Sequence, residues 1–206
     1  MKTFYAIGDI HGEIGKLERL LLQIEADAGG RAGEKLGIFL GDYIDRGPDS
    51  RAVVELVASG RALSFPYLCL SGNHEDMALN DHELWAINGA GATLRSYGGA
   101  ISVEHEAWMR SLRLFHREGK WLFVHAGIEP GRPLADQRPH TMMWIRDPFL
   151  LHEGPFAEGV IVVHGHTPSR LPEVEANRIN IDTGAVYGGH LTCAVLTDRL
   201  EKFLQA

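Results

Sequence analysis

Phe4-Tyr5-Ala6-Ile7 is an uninterrupted apolar run closed by Gly8-Asp9, the pattern of a strand covered on both faces. From Glu13 to Ala28 the period changes: Ile14, Leu17, Leu20, Leu21 and Ile24 recur at helical spacing, and Gly29-Gly30 then stops the expected amphipathic helix. Leu36 to Leu40 is a second buried strand, ending at Gly41-Asp42. Strand, helix and strand in succession predict parallel pairing. The unit repeats, with Ser50 expected to cap a helix holding Val53, Val54, Leu56 and Val57, and with Tyr67 to Leu70 as the strand that delivers Gly72-Asn73-His74.

Between Glu75 and about Leu114 the pattern is helix-rich, broken at Asn88-Gly89, Gly91 and Gly98-Gly99, and predicts a cap or wall. Leu112 to Arg117 and Trp121 to Val124, joined by a turn at Gly119-Lys120, predict a hairpin that presents His125. Val160 to Val163 leads into His164-Gly165-His166, and Ile179 to Ile181 and Leu191 to Leu196 are expected as the last strands. No repeat, linker or low-complexity segment interrupts the 206 residues. One α/β domain over residues 1–206 is therefore expected.

Composition narrows the partners. The 45% hydrophobic and 23% charged content is ordinary for a globular chain. The net charge of −7 argues against a grip on nucleic acid or an anionic membrane, although bound cations could still attract a phosphate. Cys69 and Cys193 lie in apolar, strand-like stretches and are expected as free thiols, which suits a reducing cytoplasm. Met1 to Ile7 leave no room for a signal peptide, and no apolar run approaches membrane-spanning length, so a cytoplasmic location is expected. Nothing in the pattern fixes the oligomeric state.

The candidate chemistry sits at the strand ends. Five strings follow apolar runs: Gly8-Asp9-Ile10-His11-Gly12, Gly41-Asp42-Tyr43-Ile44-Asp45-Arg46-Gly47, Gly72-Asn73-His74-Glu75, His125-Ala126-Gly127 and His164-Gly165-His166-Thr167. Asp, Asn and His suit manganese, iron or zinc, and this mixed set is unlike a structural thiolate zinc site. In Asp9-x-His11 both side chains could reach one ion, and the two oxygens of Asp42 could bridge to a second. Two cations about 3.5 to 4 Å apart would clamp an in-line displacement and acidify a bridging water.

This ordered set resembles the calcineurin-like metallophosphoesterases, and within them the phosphoprotein phosphatase family. It is most similar to small bacterial and phage serine/threonine protein phosphatases, with symmetrical diadenosine tetraphosphate hydrolases as near relatives. The resemblance runs from Asp9 to about Tyr187 and implies a β-sandwich of mixed sheets flanked by helices, with a binuclear metal site at strand carboxyl ends. It implies that Asp9, His11 and Asp42 hold one divalent ion and that Asn73, His125 and His166 hold another, manganese first, with iron or zinc as substitutes. His166 is favoured over His164, which is expected to pack or to orient a neighbour. Pro168 stands where relatives outside the phosphatase family often place a further histidine.

By the same resemblance His74 is the general acid, Asp45 orients its ring, Arg46 grips phosphate, Arg146 is a second phosphate arginine, and Tyr187 lies on a loop near the site. From the residues alone, Arg46 could instead pair with Asp49, and Arg146 with Asp147 or Glu153. Arg110, Arg113, Arg117 and Lys120 are expected as a solvated face. Asp45-Arg46-Gly47-Pro48-Asp49-Ser50-Arg51-Ala52 lacks the glutamate that eukaryotic relatives carry at the last place, which weakens any expectation of eukaryotic-style regulatory subunits.

The implied activity is hydrolysis of phosphate monoesters, foremost phosphoserine or phosphothreonine in proteins, by direct attack of a metal-bridging hydroxide. The partner would be a phosphoprotein or a small phosphorylated molecule. The alternative is a symmetrical diadenosine tetraphosphate hydrolase, which needs an adenine pocket, and Glu75 to Leu114 offers only Trp85, Tyr97 and Trp108 for one. A remote alternative is a non-catalytic phosphate-binding module.

Overall fold

The structure, a computed structural model, describes residues 2–206. Its first sheet contains β1 (Thr3–Ile7), β2 (Lys35–Phe39), β3 (Tyr67–Cys69), β9 (Thr192–Leu196) and β10 (Leu200–Gln205), in the order β10-β9-β1-β2-β3. Here β1, β2 and β3 are parallel, with Ile7 opposite Phe39 and Phe39 opposite Cys69, while β9 and β10 run antiparallel. The second sheet contains β4 (Phe115–Glu118), β5 (Trp121–Val124), β6 (Ile161–His164), β7 (Glu173–Val174) and β8 (Arg178–Asn180), in the order β4-β5-β6-β8-β7. Its β5, β6 and β8 are parallel, and antiparallel β4 and β7 form the edges. Both sheets are thus mixed, as the resemblance implies.

Strand periodicity places the core. Phe4 and Ala6 face Phe123, Val163 and Ile179 of the second sheet, and the Phe4 and Phe123 rings lie 5.5 Å apart. Tyr5 and Ile7 point the opposite way, onto α1 (Ile14–Gly29) and α2 (Ser50–Ala58). With both faces covered, Phe4 to Ile7 are all apolar after the single polar Thr3, which is why the sequence of β1 is continuous rather than alternating. Each large side chain buried here contributes about 2 kcal/mol of transfer free energy. The outer face of the second sheet carries Leu122, Val124 and Val162 under Met142 of α7 (Pro139–Trp144), Phe149 and Phe156.

The expected helix-rich middle is four short helices, α3 (Asn73–Asn80), α4 (His82–Ile87), α5 (Ala90–Tyr97) and α6 (Val103–Arg110), broken at Gly89 and Gly98, both with left-handed backbone. Three details differ from expectation. Asp49, not Ser50, caps α2, its carboxylate accepting from Ala52 N at 3.0 Å, while the buried Ser50 hydroxyl accepts from Asp45 N at 3.0 Å. Strand β10 lies beyond the last expected strand, and a bulge between Leu200 and Lys202 scrambles the alternation that would have announced it. Helix α7 also forms where no helical spacing was legible. Cys69 and Cys193 are free, half-buried and buried respectively, and among the described residues no helix is long and apolar enough to cross a membrane.

Candidate metal centre

Six parallel strands, three from each sheet, end toward one cleft, so the loops after β1, β2, β3, β5, β6 and β8 converge. Asp42 is their meeting point. Its carboxylate belongs to two groups whose ligand atoms lie within 4.8 Å of one another: His11, Asp42 and His74, and Asp42, His125 and His166. All five residues are buried. Five of the six described non-glycine residues with left-handed backbone are site residues, namely His11, Asp42, Asp45, Arg46 and His166. That conformation costs of order 1 kcal/mol or more at each, so the surrounding contacts must enforce it.

Backbone carbonyls set the tautomers. His11 Nδ1 donates to Ile44 O at 2.8 Å and His125 Nδ1 donates to Leu40 O at 3.0 Å. Burial pushes His11 down to about 3 and also lowers His125, so both rings are neutral and each Nε2 keeps its lone pair. Those lone pairs face the Asp42 carboxylate at 3.3 and 3.4 Å. Asn73 Oδ1 adds a third acceptor, 3.0 Å from His125 Nε2 and 2.9 Å from Nδ1 of His166, whose pKa burial lowers to about 2. An Arg46 N–H reaches the His11 lone pair, but Asp42, Asn73, His125 Nε2 and His166 Nδ1 turn acceptors toward one another without an intervening proton, the arrangement a cation resolves. The residues therefore fit divalent metal.

Electrostatics around Asp42 agree. Burial opposes its charge, but the positive charge that the surrounding imidazoles take on when protonated outweighs burial and holds the carboxyl well below the usual carboxylate range. His74 is the one ring of the cluster whose pKa is raised: burial opposes its charge, and Asp42 and Asp45 more than compensate. Its Nδ1 lies 2.6 Å from Asp45 Oδ2, and its Nε2 lies 4.0 Å from Asp42 Oδ2. Asp9 sits behind this cluster, its carboxylate accepting His166 N at 3.0 Å, and burial, Asp182 and Asp42 push its pKa well up. Asp9 is thus close to the centre yet outside both tight groups. A cation beside it would offset that crowding of negative charge.

Two glycines admit the carboxylates. A Cβ at Gly72 would run into Asp42 Oδ1, and one at Gly165 would run into Asp9 Oδ1. Side chains larger than hydrogen are excluded there whatever the backbone angles.

The remaining expected residues fall at the rim. Arg46 Nη1 donates to His11 Nε2 at 2.6 Å, and the guanidinium stands 5.6 Å from the Tyr187 ring centroid. It does not pair with Asp49, which is engaged by the start of α2 and by Ser96. Arg146 is exposed, makes no ion pair among the described residues, and is near enough to His125, His166 and Asp182 to disfavour their protonated forms. His164 packs edge-on against Phe149, its Nδ1 3.1 Å from Gly165 O, and joins neither group. Arg110, Arg113, Arg117 and Lys120 are all exposed, with Arg117 paired to Glu158 and Lys120 over the Trp121 ring.

Four contributors are not assigned to the centre by the sequence, which offers Trp85 only for an adenine pocket. Glu75 ties the Asp42 loop to Gly72, and Asp182 crowds Asp9. Trp85 and Thr93 both bond the Asp45 carboxylate. Trp85 is buried, Trp108 packs on Tyr43, and Tyr97 packs on His105, so these rings do not line an adenine pocket. Glu75 at least stood inside a recognisable string, whereas Trp85 and Thr93 carry no local signal.

The calcineurin-like phosphoesterase family profile matches residues 2–194. Serine/threonine-protein phosphatase 1 of Salmonella typhimurium is 30% identical over 209 residues, an alignment covering 92% of this chain and 90% of that protein. The asymmetrical bis(5'-nucleosyl)-tetraphosphatase PrpE of Geobacillus sp. strain WCH70 is 29% identical over 220 residues, covering 90% and 87%. A solved structure provisionally assigned as a diadenosine tetraphosphatase superposes with a TM-score of 0.75 at 24% identity, covering 99% of this chain and 92% of that one, a likeness of fold.

Proposed function

Because the chain belongs to the calcineurin-like phosphoesterases and is a metallophosphoesterase hydrolase, we propose that it cleaves phosphate monoesters, phosphoserine and phosphothreonine in proteins foremost. His11 and Asp42, with Asp9 behind them, would hold one divalent ion and Asn73, His125 and His166 the other, with manganese the first choice. When bound, such ions supply a nucleophile from water near neutral pH and neutralise charge on the phosphate.

The Asp45–His74 pair is the observation that carries the reading. A serine or threonine alkoxide is a poor leaving group and needs a proton as it departs, whereas a nucleoside phosphate leaving an anhydride needs little help. His74 is held by Asp45 at Nδ1, its pKa is raised, and its Nε2 faces the Asp42 centre. It is thus placed to donate, with surroundings that favour its protonated form. Arg46, already reaching His11, has the fork geometry to take two phosphate oxygens, and the unpaired Arg146 supplies a second cation at the rim.

Hydrolysis of a dinucleoside polyphosphate is the second reading. A cleft of about 490 Å³ beside the site is lined by Tyr187, Arg170 and Gly184, and Tyr187 is 63% exposed above Arg46. An exposed ring next to an arginine can stack a base. The similarity to the PrpE tetraphosphatase favours the same substrate.

Stripping the protein with chelator, restoring manganese and comparing kcat/KM for a phosphothreonine peptide and for diadenosine tetraphosphate separates the two. Preference for the peptide is expected. Preference for the dinucleotide moves the assignment to polyphosphate hydrolysis, and no turnover of either with any divalent ion supports the non-catalytic module.

A further inference from the structure

We propose that Trp85 and Thr93 are positioning residues that lock the Asp45 carboxylate and thereby aim His74, so that the helices capping the site govern proton delivery. This rests on the reading of His74 as general acid.

The carboxylate of Asp45 is held from every side. Its Oδ2 takes His74 Nδ1 at 2.6 Å and Trp85 Nε1 at 2.9 Å; its Oδ1 takes Thr93 Oγ1 at 2.6 Å and the same indole N–H at 3.0 Å. The Thr93 hydroxyl also accepts from Asp45 N at 2.9 Å and lies 3.1 Å from Ser50 Oγ, so one hydroxyl joins the backbone and side chain of the same aspartate. Asp45, His74 and Thr93 are almost fully buried and Trp85 is 7% exposed, so water does not substitute for a lost donor.

Local chain geometry does not supply this order. Asp45 has a φ of 75°, a left-handed conformation that an isolated loop would leave. The restraint comes from α4, which carries Trp85, and α5, which carries Thr93; neither contains an expected metal ligand. A buried indole N–H needs an acceptor, and here that requirement is met by forking across both oxygens of one carboxylate, which fixes the carboxylate as well as the ring. With both oxygens engaged, the carboxylate cannot rotate away from Nδ1, and His74 keeps Nε2 directed at Asp42. Losing one donor frees that rotation without touching the groups proposed to bind phosphate.

The test uses Trp85→Phe, which stays aromatic and removes the indole donor, and Thr93→Val, which keeps shape and removes the hydroxyl that donates to Oδ1 and accepts from Asp45 N, with Thr93→Ser as the conservative control and His74→Asn as reference. Each manganese-loaded protein is assayed on a phosphothreonine peptide and on p-nitrophenyl phosphate, whose leaving group needs little protonation. The Phe and Val variants are expected to lose about tenfold in kcat on the peptide at unchanged KM, with p-nitrophenyl phosphate turnover nearly unchanged and Thr93→Ser close to the parent. In the metal-free proteins, the downfield proton resonance of the His74 Nδ1–H is expected to move in Trp85→Phe and Thr93→Val. Equal losses on both substrates in His74→Asn would remove the acid reading itself. If His74→Asn discriminates between the substrates while the Phe and Val variants do not, and their Nδ1–H resonance stays in place, the positioning role is overturned. Should Thr93→Val fail to fold, Trp85→Phe decides alone.

Discussion

Glu75 grips the loop that carries Asp42. Its carboxylate accepts Asp42 N at 2.9 Å, Tyr43 N at 2.8 Å and Gly72 N at 3.0 Å, so the loops after β2 and β3 are pinned through one fully buried side chain. Burial and the nearby Asp42 charge push its pKa up to about 7 against the pull of those backbone donors. In Glu75→Gln an amide NH₂ replaces one acceptor and leaves a backbone N–H facing a donor. An unsatisfied buried donor costs roughly 1–3 kcal/mol. A lower melting temperature together with weaker manganese binding is expected in calorimetry; a variant matching the parent in both would show that the clamp is dispensable.

Gly72 tests the close approach separately. Its φ is −99°, a value any residue adopts, so the Gly72→Ala substitution acts through the added methyl, which collides with Asp42 at both Oδ1 and the backbone N. The fold should persist while Asp42 is displaced. Isothermal titration should show manganese affinity falling by about 10- to 100-fold with little change in the circular dichroism spectrum; retained affinity would mean that Asp42 need not sit where it does.

Away from the centre, Asp27 fastens α1 to two strands, accepting Tyr5 OH at 2.8 Å and Arg31 Nε at 2.6 Å and pairing with Lys202 of β10. Burial tends to raise its pKa, but these donors prevail and hold it at about 2. Because the folded value lies below the unfolded value of roughly 3.9, the stabilisation is complete above that value and is lost as pH falls through about 2. Asp27→Asn should therefore melt lower than the parent near neutral pH, and the difference should shrink in melts taken toward pH 2. A gap that stays constant across that range would locate the effect in packing rather than charge.

What the sequence made legible follows from range. Strands β1, β2, β5 and β9 are covered by apolar groups on both faces, so unbroken apolar runs marked them, and each metal-ligand string sat directly after such a run. Neighbouring chemistry on one loop is a local signal. Trp85 and Thr93 meet Asp45 across separations of 40 and 48 residues, and no local pattern encodes a contact of that length. The Ser50 and Asp49 exchange has a similar origin. Both are good caps, and the choice was made by a tertiary demand, since Ser50 is needed by Asp45. The bulge that hid β10 is likewise a feature of pairing and not of its own six residues.

The central claim is that Asp42 is shared between two divalent ions, and counting manganese bound per chain in the parent and in Asp42→Asn tests it most directly. Two ions per parent chain are expected, with Asp42→Asn losing tight binding at both positions at once. A variant that still held one ion with parental affinity would contradict a shared carboxylate, and a parent that bound a single ion would contradict the binuclear centre.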